Sequence, residues 1–508
     1  MAQTIAHDEH RVHGHAQHGI ETLRPDDLRS ARRLMWIWVD TGLAIFALMA
    51  LMGVTMRAEQ AGWISYGPDV FYSLMTLHGV GMITAMAVAA MGGIWYMMRL
   101  DGPLDERVAH WAYGFIVAGV IAVIVSIFPG KFGAAWTFLY PLPFVGATWA
   151  PWATGAFLTG VMLVSIGWSI WCVQMLGCVM KRYGGLRGAT GWDYIFHNRA
   201  FTEAGKQPPS PQAFAAMVSA IDGLLTGAAG MVIGIALLVH WLDPSVRIDP
   251  LWAKNVTFFF GHAFANLTIY MAVSWVYVGV PRYAGRSYHT SQALAVAWWG
   301  TLFFVLLAYF HHLYMDFVQF QALQFIGEAA SYLSALPTVV VTIFSCLMLV
   351  YRSKMRWTLG SIFIYTGLIG WVVGGIGALL DASIPFNNNL HNTLWVPAHF
   401  HTYLLGGVLL FILGFVFMML EERVGAASSA AVRWIVGTLV FGGMGTFLLG
   451  FYVAGSAGVP RRYATEPTPG PHIASWATIG AIIMLVGMAV ALIEALRMAT
   501  SKPQGRLS

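Results

Sequence analysis

Twelve apolar stretches, each long enough to cross a bilayer, divide this 508-residue chain. They fall at about 33–56, 71–98, 108–129, 152–177, 214–240, 252–280, 291–315, 328–350, 358–380, 393–420, 431–456 and 473–498. A helix rising about 1.5 Å per residue needs roughly 20 residues to span 30 Å of hydrocarbon. Hydrocarbon offers bare backbone no hydrogen-bond partner, so only helices or closed barrels cross it. The period-two alternation of a barrel strand is absent. The expectation is an all-α integral membrane protein, a twelve-helix transmembrane bundle. Composition agrees: 10% of residues are charged, against roughly 25% in a soluble chain.

Lys and Arg set the orientation. With an even number of spans, one set of loops together with both termini holds 22 of the 28 basic residues. The positive-inside rule puts that side in the cytoplasm. The expected place is a bacterial cytoplasmic (inner) membrane, with multiple passes and both termini inside. The net charge of +5 follows from this bias and does not point to nucleic acid; the bilayer is the partner. The expected organisation is a His-rich cytoplasmic tail at 1–32, one twelve-span domain at 33–498 and a short cytoplasmic tail at 499–508. The first tail carries His7, His10, His13, His15 and His18 and reads as solvated, with metal binding the alternative. The loop at 178–212, basic and containing "PPSP", reads as irregular. Cys172, Cys178 and Cys346 are scattered. Without a CxxC pair they form no disulfide framework, zinc ribbon or c-type haem attachment.

Six histidines lie inside the spans: His78, His262, His311, His312, His399 and His401. A polar residue at that depth is a functional candidate, and six in four spans are hard to explain as isolated hydrogen bonds. Residues i and i+2 of a helix stand about 200° apart. His399 and His401 therefore face opposite sides of one helix and can hold two different groups. Adjacent His311 and His312, about 100° apart on a helix, can converge on one metal with His262 as a third imidazole. Three imidazoles suit copper, iron or zinc. His78, on the second span, can complete an axial pair on a haem. A haem with two histidines transfers electrons, whereas one with a single histidine keeps an open face for a diatomic ligand.

The motifs "TLHGV", "GHAFAN", "YFHHLYMD", "HNTLWVPAHFH" and "VPRRY", in this order over nearly the whole chain, resemble the haem-copper oxidase superfamily, catalytic subunit I, close to its B-type branch. The resemblance implies His78 and His401 as axial ligands of a low-spin haem and His399 of a high-spin haem. It implies His262, His311 and His312 as ligands of a copper or non-haem iron facing that second haem. Both haems would be b-type. Arg461 and Arg462, in an outer loop, can clamp haem propionates by bidentate charge-assisted bonds; His391 and Asn392 fall in the same region. With no cysteine pair of the CuA kind in this chain, the resemblance implies a second subunit as electron-entry domain, a CuA-like cupredoxin or haem c. Cytochrome c or a small copper protein would be the donor.

One departure bears on the reaction. Oxygen-reducing members typically carry a tyrosine one turn after the sixth-span histidine. Here "GHAFANLTIY" places Asn266 there, on the His262 face, and Tyr270 a turn further on. A carboxamide cannot supply the electron that single-event splitting of O₂ takes from a phenol. Coupling two NO molecules to N₂O needs only two electrons and two protons. The chain therefore resembles a nitric oxide reductase variant lacking the tyrosine. The alternative is an oxygen-reducing B-type cytochrome c oxidase whose phenol has moved to the seventh span, as Tyr309 or Tyr314; a non-redox role would require a lost haem ligand. In "ALPTVVV", Val341 stands where A-type oxidases carry a proton-conducting lysine. Glu328 and Ser331 lie on the same span, and Glu328 is either a proton carrier or a helix cap.

Overall fold

The computed structural model describes residues 23–135, 148–316 and 318–502. The five tail histidines lie outside the described residues. Among the described residues, twelve helices long and apolar enough to cross a membrane follow one another. They are α1 (Pro25–Gln60), α2 (Pro68–Asp101), α3 (Glu106–Ile127), α4 (Pro151–Arg182), α5 (Pro211–Leu242), α6 (Pro250–Ala284), α7 (Gln292–Leu313), α8 (Ala322–Val350), α9 (Leu359–Ala382), α10 (Trp395–Val424), α11 (Ala430–Ser456) and α12 (Gly470–Thr500).

Their starts are written in the sequence. Proline opens α1, α2, α4, α5 and α6, where its missing N–H costs nothing. Ser210, Asp249, Ser291 and Ser429 accept a backbone N–H at the starts of α5, α6, α7 and α11, and Thr358 forms a capping box with Ser361 on α9.

Consecutive helices pair as α1 with α2, α3 with α4 and α11 with α12. Glycine sets the closest approaches. A Cβ on Gly119 of α3 would meet Gly160 O of α4 at 2.5 Å, and one on Gly443 of α11 would meet Gly480 O of α12 at 2.6 Å. Small residues let transmembrane backbones pack this tightly. Helix α10 sits at the centre, with 89% of its most apolar window buried, against 22% for α8. The helix that carries His399 and His401 is thus the most enclosed in the bundle. Cys172, Cys178 and Cys346 are buried and free.

Helix α1 begins at Pro25, within the segment 1–32, where Asp26 and Asp27 in the first turn suit the helix dipole, and α12 continues to Thr500. One expectation is corrected. The 178–212 segment is not irregular. It holds the end of α4 and short helices at Leu186–Thr190, Trp192–Phe196 and Asn198–Glu203. Gly185 and Gly191, both at positive φ, bound the first of them. The Trp299 indole donates to Thr190 O at 2.9 Å and the Tyr194 hydroxyl to Thr290 O at 3.0 Å, tying the segment to the bundle.

At the crossing of α9 and α10 a Cβ on Gly370 would lie 2.0 Å from Gly406 O. Backbone cannot yield there as a flexible side chain can. Gly370→Ala should destabilise the protein by about 1–3 kcal/mol, read as a lower thermal midpoint in detergent; an unchanged midpoint would show that the crossing is looser than described.

Candidate metal centre

The first histidine pair joins α2 to α10. The His78 and His401 ring centroids are 6.1 Å apart, with planes 21° from parallel. Each ring is held at Nδ1, His78 by Met49 O at 2.8 Å and His401 by Pro397 O at 2.7 Å. Donation from Nδ1 leaves Nε2 free as a ligand atom, the usual arrangement for a metal-bound imidazole. Two metal–nitrogen bonds of about 2.0 Å plus two ring radii of about 1.1 Å span roughly 6.2 Å, so the separation fits one iron between the rings. Gly53 makes room for His78: a Cβ there would meet its Cε1 at 2.7 Å. His401 packs on Phe447 and Phe451 of α11.

His399 faces the other way. Its Nδ1 lies 3.1 Å from Gly374 O on α9, and its ring stands edge-on to Tyr403. The opposite-face reading of "HFH" holds. Just beyond it α10 widens into a π-helical turn over Leu404–Leu409, a local form common at functional sites.

His262, His311 and His312 converge: one ligand nitrogen from each lies within 4.8 Å of the other two. His262 Nδ1 is 3.2 Å from His312 Nε2. Two ligands at about 2.0 Å on a tetrahedral metal lie roughly 3.3 Å apart, so this donor set fits one ion. The local backbone is not the expected α-helix. Tyr309–Leu313 is 3₁₀, which separates neighbouring side chains by about 120° rather than 100°; the two rings still lie 4.2 Å apart between centroids. Ser331 on α8 sits 3.0 Å from His311 Nδ1 and fixes that ring.

Asn266 completes the group. Its Nδ2 donates to His262 O at 2.9 Å and stands 3.2 Å from His262 Nε2. The two phenols of the seventh span turn elsewhere. The Tyr309 hydroxyl donates to Asn255 Oδ1 at 3.2 Å and that of Tyr314 to Ala382 O at 3.1 Å. No described phenol is hydrogen-bonded to the three imidazoles.

The loop before α12 supplies charge. Burial first, then Arg462, pulls the Arg461 guanidinium down to about 9, which leaves it cationic at neutral pH. Burial lowers Arg462 as well. Among the described residues neither forms a salt bridge, and Arg461 Nε has no partner. Burial and these two cations hold His391 down, at about 4, so its ring is neutral at neutral pH. Two half-buried cations that no carboxylate pairs in a salt bridge, Asp381 acting on Arg461 only at longer range, suit an anionic group such as a propionate. Arg461 N donates to Asn392 O at 2.9 Å, seating the arginine loop on the start of α10.

Comparison with known proteins places the chain. The family model described as cytochrome c and quinol oxidase polypeptide I matches residues 33–498. The chain belongs to this family. It is a haem-copper oxidase subunit I, a multi-pass membrane protein of the oxidoreductase class. It is 22% identical to cytochrome c oxidase subunit 1 of a Synechocystis species, over 82% of this chain and 74% of that one. Against the subunit of the same name from Thermus thermophilus it is 27% identical, over 51% of this chain and 50% of that one. Against cytochrome c oxidase polypeptide 1 of Halobacterium salinarum it is 24% identical, over 91% of this chain and 77% of that one. A solved haem-copper terminal oxidase dimer contains a similar fold, with TM-score 0.76 at 21% identity, covering 94% of this chain and 86% of that one.

Several polar groups of this subunit I escaped the sequence reading. Arg57 and Glu466, 409 positions apart, form a buried ion pair at 2.5 Å, with Arg57 over the Phe451 ring that stacks on His401. Nothing local announces such a partner. Asp222 and Asp381 are acids buried within spans, a signal as legible as a histidine. Glu328 accepts the Ile384 N–H at 3.3 Å and so caps the short helix Ile384–Leu390.

The pairing of His78 with His401 predicts that His78→Ala abolishes the low-spin haem spectrum and leaves part of the high-spin signal. A full bis-histidine spectrum in that variant would refute the pairing.

Proposed function

We propose that this subunit reduces nitric oxide to nitrous oxide: 2 NO + 2 e⁻ + 2 H⁺ → N₂O + H₂O. The observation that carries the reading is Asn266, a carboxamide against His262 where a redox-active phenol would be needed to split O₂ in one event. The turned-away hydroxyls of Tyr309 and Tyr314 support it. Oxygen reduction to water is the second reading, favoured by the cytochrome c oxidase names of the relatives.

In this proposal His78 and His401 hold a low-spin b-type haem, His399 holds a high-spin one, and His262, His311 and His312 hold a copper or non-haem iron. The bound metals would bind the diatomic substrate and supply its electrons. The protein's own part is to fix and to protonate. Ser331 and the Gly374 carbonyl orient the ligand rings. Asn266 keeps its amide on His262 and brings no oxidisable group to the pocket. Arg461 and Arg462, with His391 beside them, hold propionates and hold the haems in register.

A row of hydroxyls on one face of α8 is the route proposed for protons. The Tyr277 hydroxyl meets Thr342 at 2.7 Å, Thr338 meets Thr301, Thr301 donates to Ser334 O at 3.0 Å, and Ser334 donates to Ser331 O at 2.9 Å beside His311. These groups do without the lysine that Val341 replaces. A second subunit carrying a CuA-like or haem c domain brings electrons from cytochrome c or a small copper protein. The membrane is a bacterial inner membrane with both termini cytoplasmic, and the twelve spans form a single domain.

The purified complex should convert NO to N₂O under anaerobic turnover and reduce O₂ slowly or incompletely. Asn266→Tyr should impair NO turnover, because the larger ring crowds a pocket that must admit two molecules. Rapid O₂ reduction to water with no N₂O formed would overturn the proposal.

A further inference from the structure

Away from the histidines, α5 carries a stripe of polar groups that the proposed chemistry does not use. Ser219, Asp222 and Thr226 share one helix face, at spacings of three and four residues, and each is fully buried at 0% exposure. Ser219 Oγ, both Asp222 carboxylate oxygens and Thr226 Oγ1 have no hydrogen-bond partner among the described residues, nor does the Trp168 indole N–H on α4. Gly223 lets α4 come close here: a Cβ on it would meet Cys172 Sγ at 2.5 Å and Trp168 Nε1 at 2.6 Å. Buried polar groups without partners are uncommon and call for an explanation. One is a chance defect, but four, brought together by two helices and including an acid, are not.

Among the described residues Asp222 forms no salt bridge. The titratable groups within its electrostatic reach are Cys172 on α4 and Tyr270 on α6, and neither is a cation. An ionised carboxylate so placed would cost several kcal/mol. A carboxylic acid there is instead a store for one proton, which its hydroxyl neighbours can pass along. Tyr270 points the way. It follows His262 by eight residues and Asn266 by four, on one face of α6, about 12 Å and 6 Å along the axis. The series Asp222, Tyr270, Asn266, His262 thus climbs from the α4–α5 contact to the metal centre. It arrives at His262, whereas the α8 hydroxyls reach His311 through Ser331.

We infer that Asp222 is a proton-carrying residue of a second internal route, which gives its proton through the Tyr270 hydroxyl to oxygen leaving the pocket as water and is reprotonated from the end of α5 that carries Pro211. The inference rests on reductive chemistry at the three-histidine centre and not on which diatomic is reduced there. Each proton delivered accompanies one electron supplied through the low-spin haem site, so charge balances with NO or with O₂.

The test is Asp222→Asn, of equal size but unable to release a proton, and Asp222→Glu, in the complete purified complex. Each reduced protein is mixed with NO and, separately, with O₂, in weakly buffered solution with a pH-indicating dye. Whichever substrate the unaltered protein reduces provides the assay, so failure of the NO proposal leaves this test readable. Asp222→Asn should keep the haem spectra and metal content, slow proton uptake by about 10²-fold, and regain most of the rate as Asp222→Glu. Proton uptake by Asp222→Asn within about twofold of the unaltered protein would overturn the inference. Should Asp222→Asn fail to assemble, ¹³C-aspartate infrared difference spectra of the Asp381→Asn protein serve instead. A protonated-carboxyl band that shifts on reduction supports Asp222, and its absence overturns the inference.

Discussion

The structure depends on backbone carbonyls holding imidazole rings inside a helical bundle. Met49 O, Pro397 O and Gly374 O lie 2.7–3.1 Å from the Nδ1 atoms of His78, His401 and His399. A free imidazole in hydrocarbon would expose two polar nitrogens at a cost of several kcal/mol. One carbonyl settles the first nitrogen and fixes the tautomer, and the second is left aimed as a ligand. One of these anchors is local: Pro397 lies four residues before His401 on α10, and its carbonyl takes the ring.

Such aim is useful only if the helices are fixed to within a few tenths of an ångström, and the glycines do this. Gly53, Gly370 and Gly377 bring α1 and α9 against the histidines or against the turn that follows them. The π-helical turn at Leu404–Leu409 lies where α10 crosses α9 at Gly370 and Gly406. It re-aims the rest of α10 after both histidines are placed. Packing that looks structural is therefore the means by which two ligand faces are kept apart on one helix.

The spans were legible because length and apolarity alone decide them in a bilayer. The six histidines were legible because a ring at that depth needs a partner, and the i, i+2 spacing of His399 and His401 fixes opposite faces whatever the tertiary structure. What was not legible depends on contacts between distant segments. The 3₁₀ form of Tyr309–Leu313 depends on α7 meeting α6 and α8, so its local sequence reads as ordinary helix. The helices within 178–212 form on the bundle, through Trp299 and Thr290, far along the chain. The direction in which Tyr309 turns rests on Asn255, on another helix. Asp222 differs: a lone acid in a span is visible in the sequence, but the unpartnered groups around it are set by the contact of α4 with α5.

The central claim is that three histidines hold one metal opposite the haem of His399 while His78 and His401 hold another haem. Haem and metal analysis of the purified complex, paired with electron paramagnetic resonance of the unaltered protein and of His312→Ala, tests it most directly. The account predicts two haems and one further copper or iron in this subunit, the last magnetically coupled to the high-spin haem and lost with His312. Two haems with no further metal, or a third metal retained unchanged in His312→Ala, would contradict it.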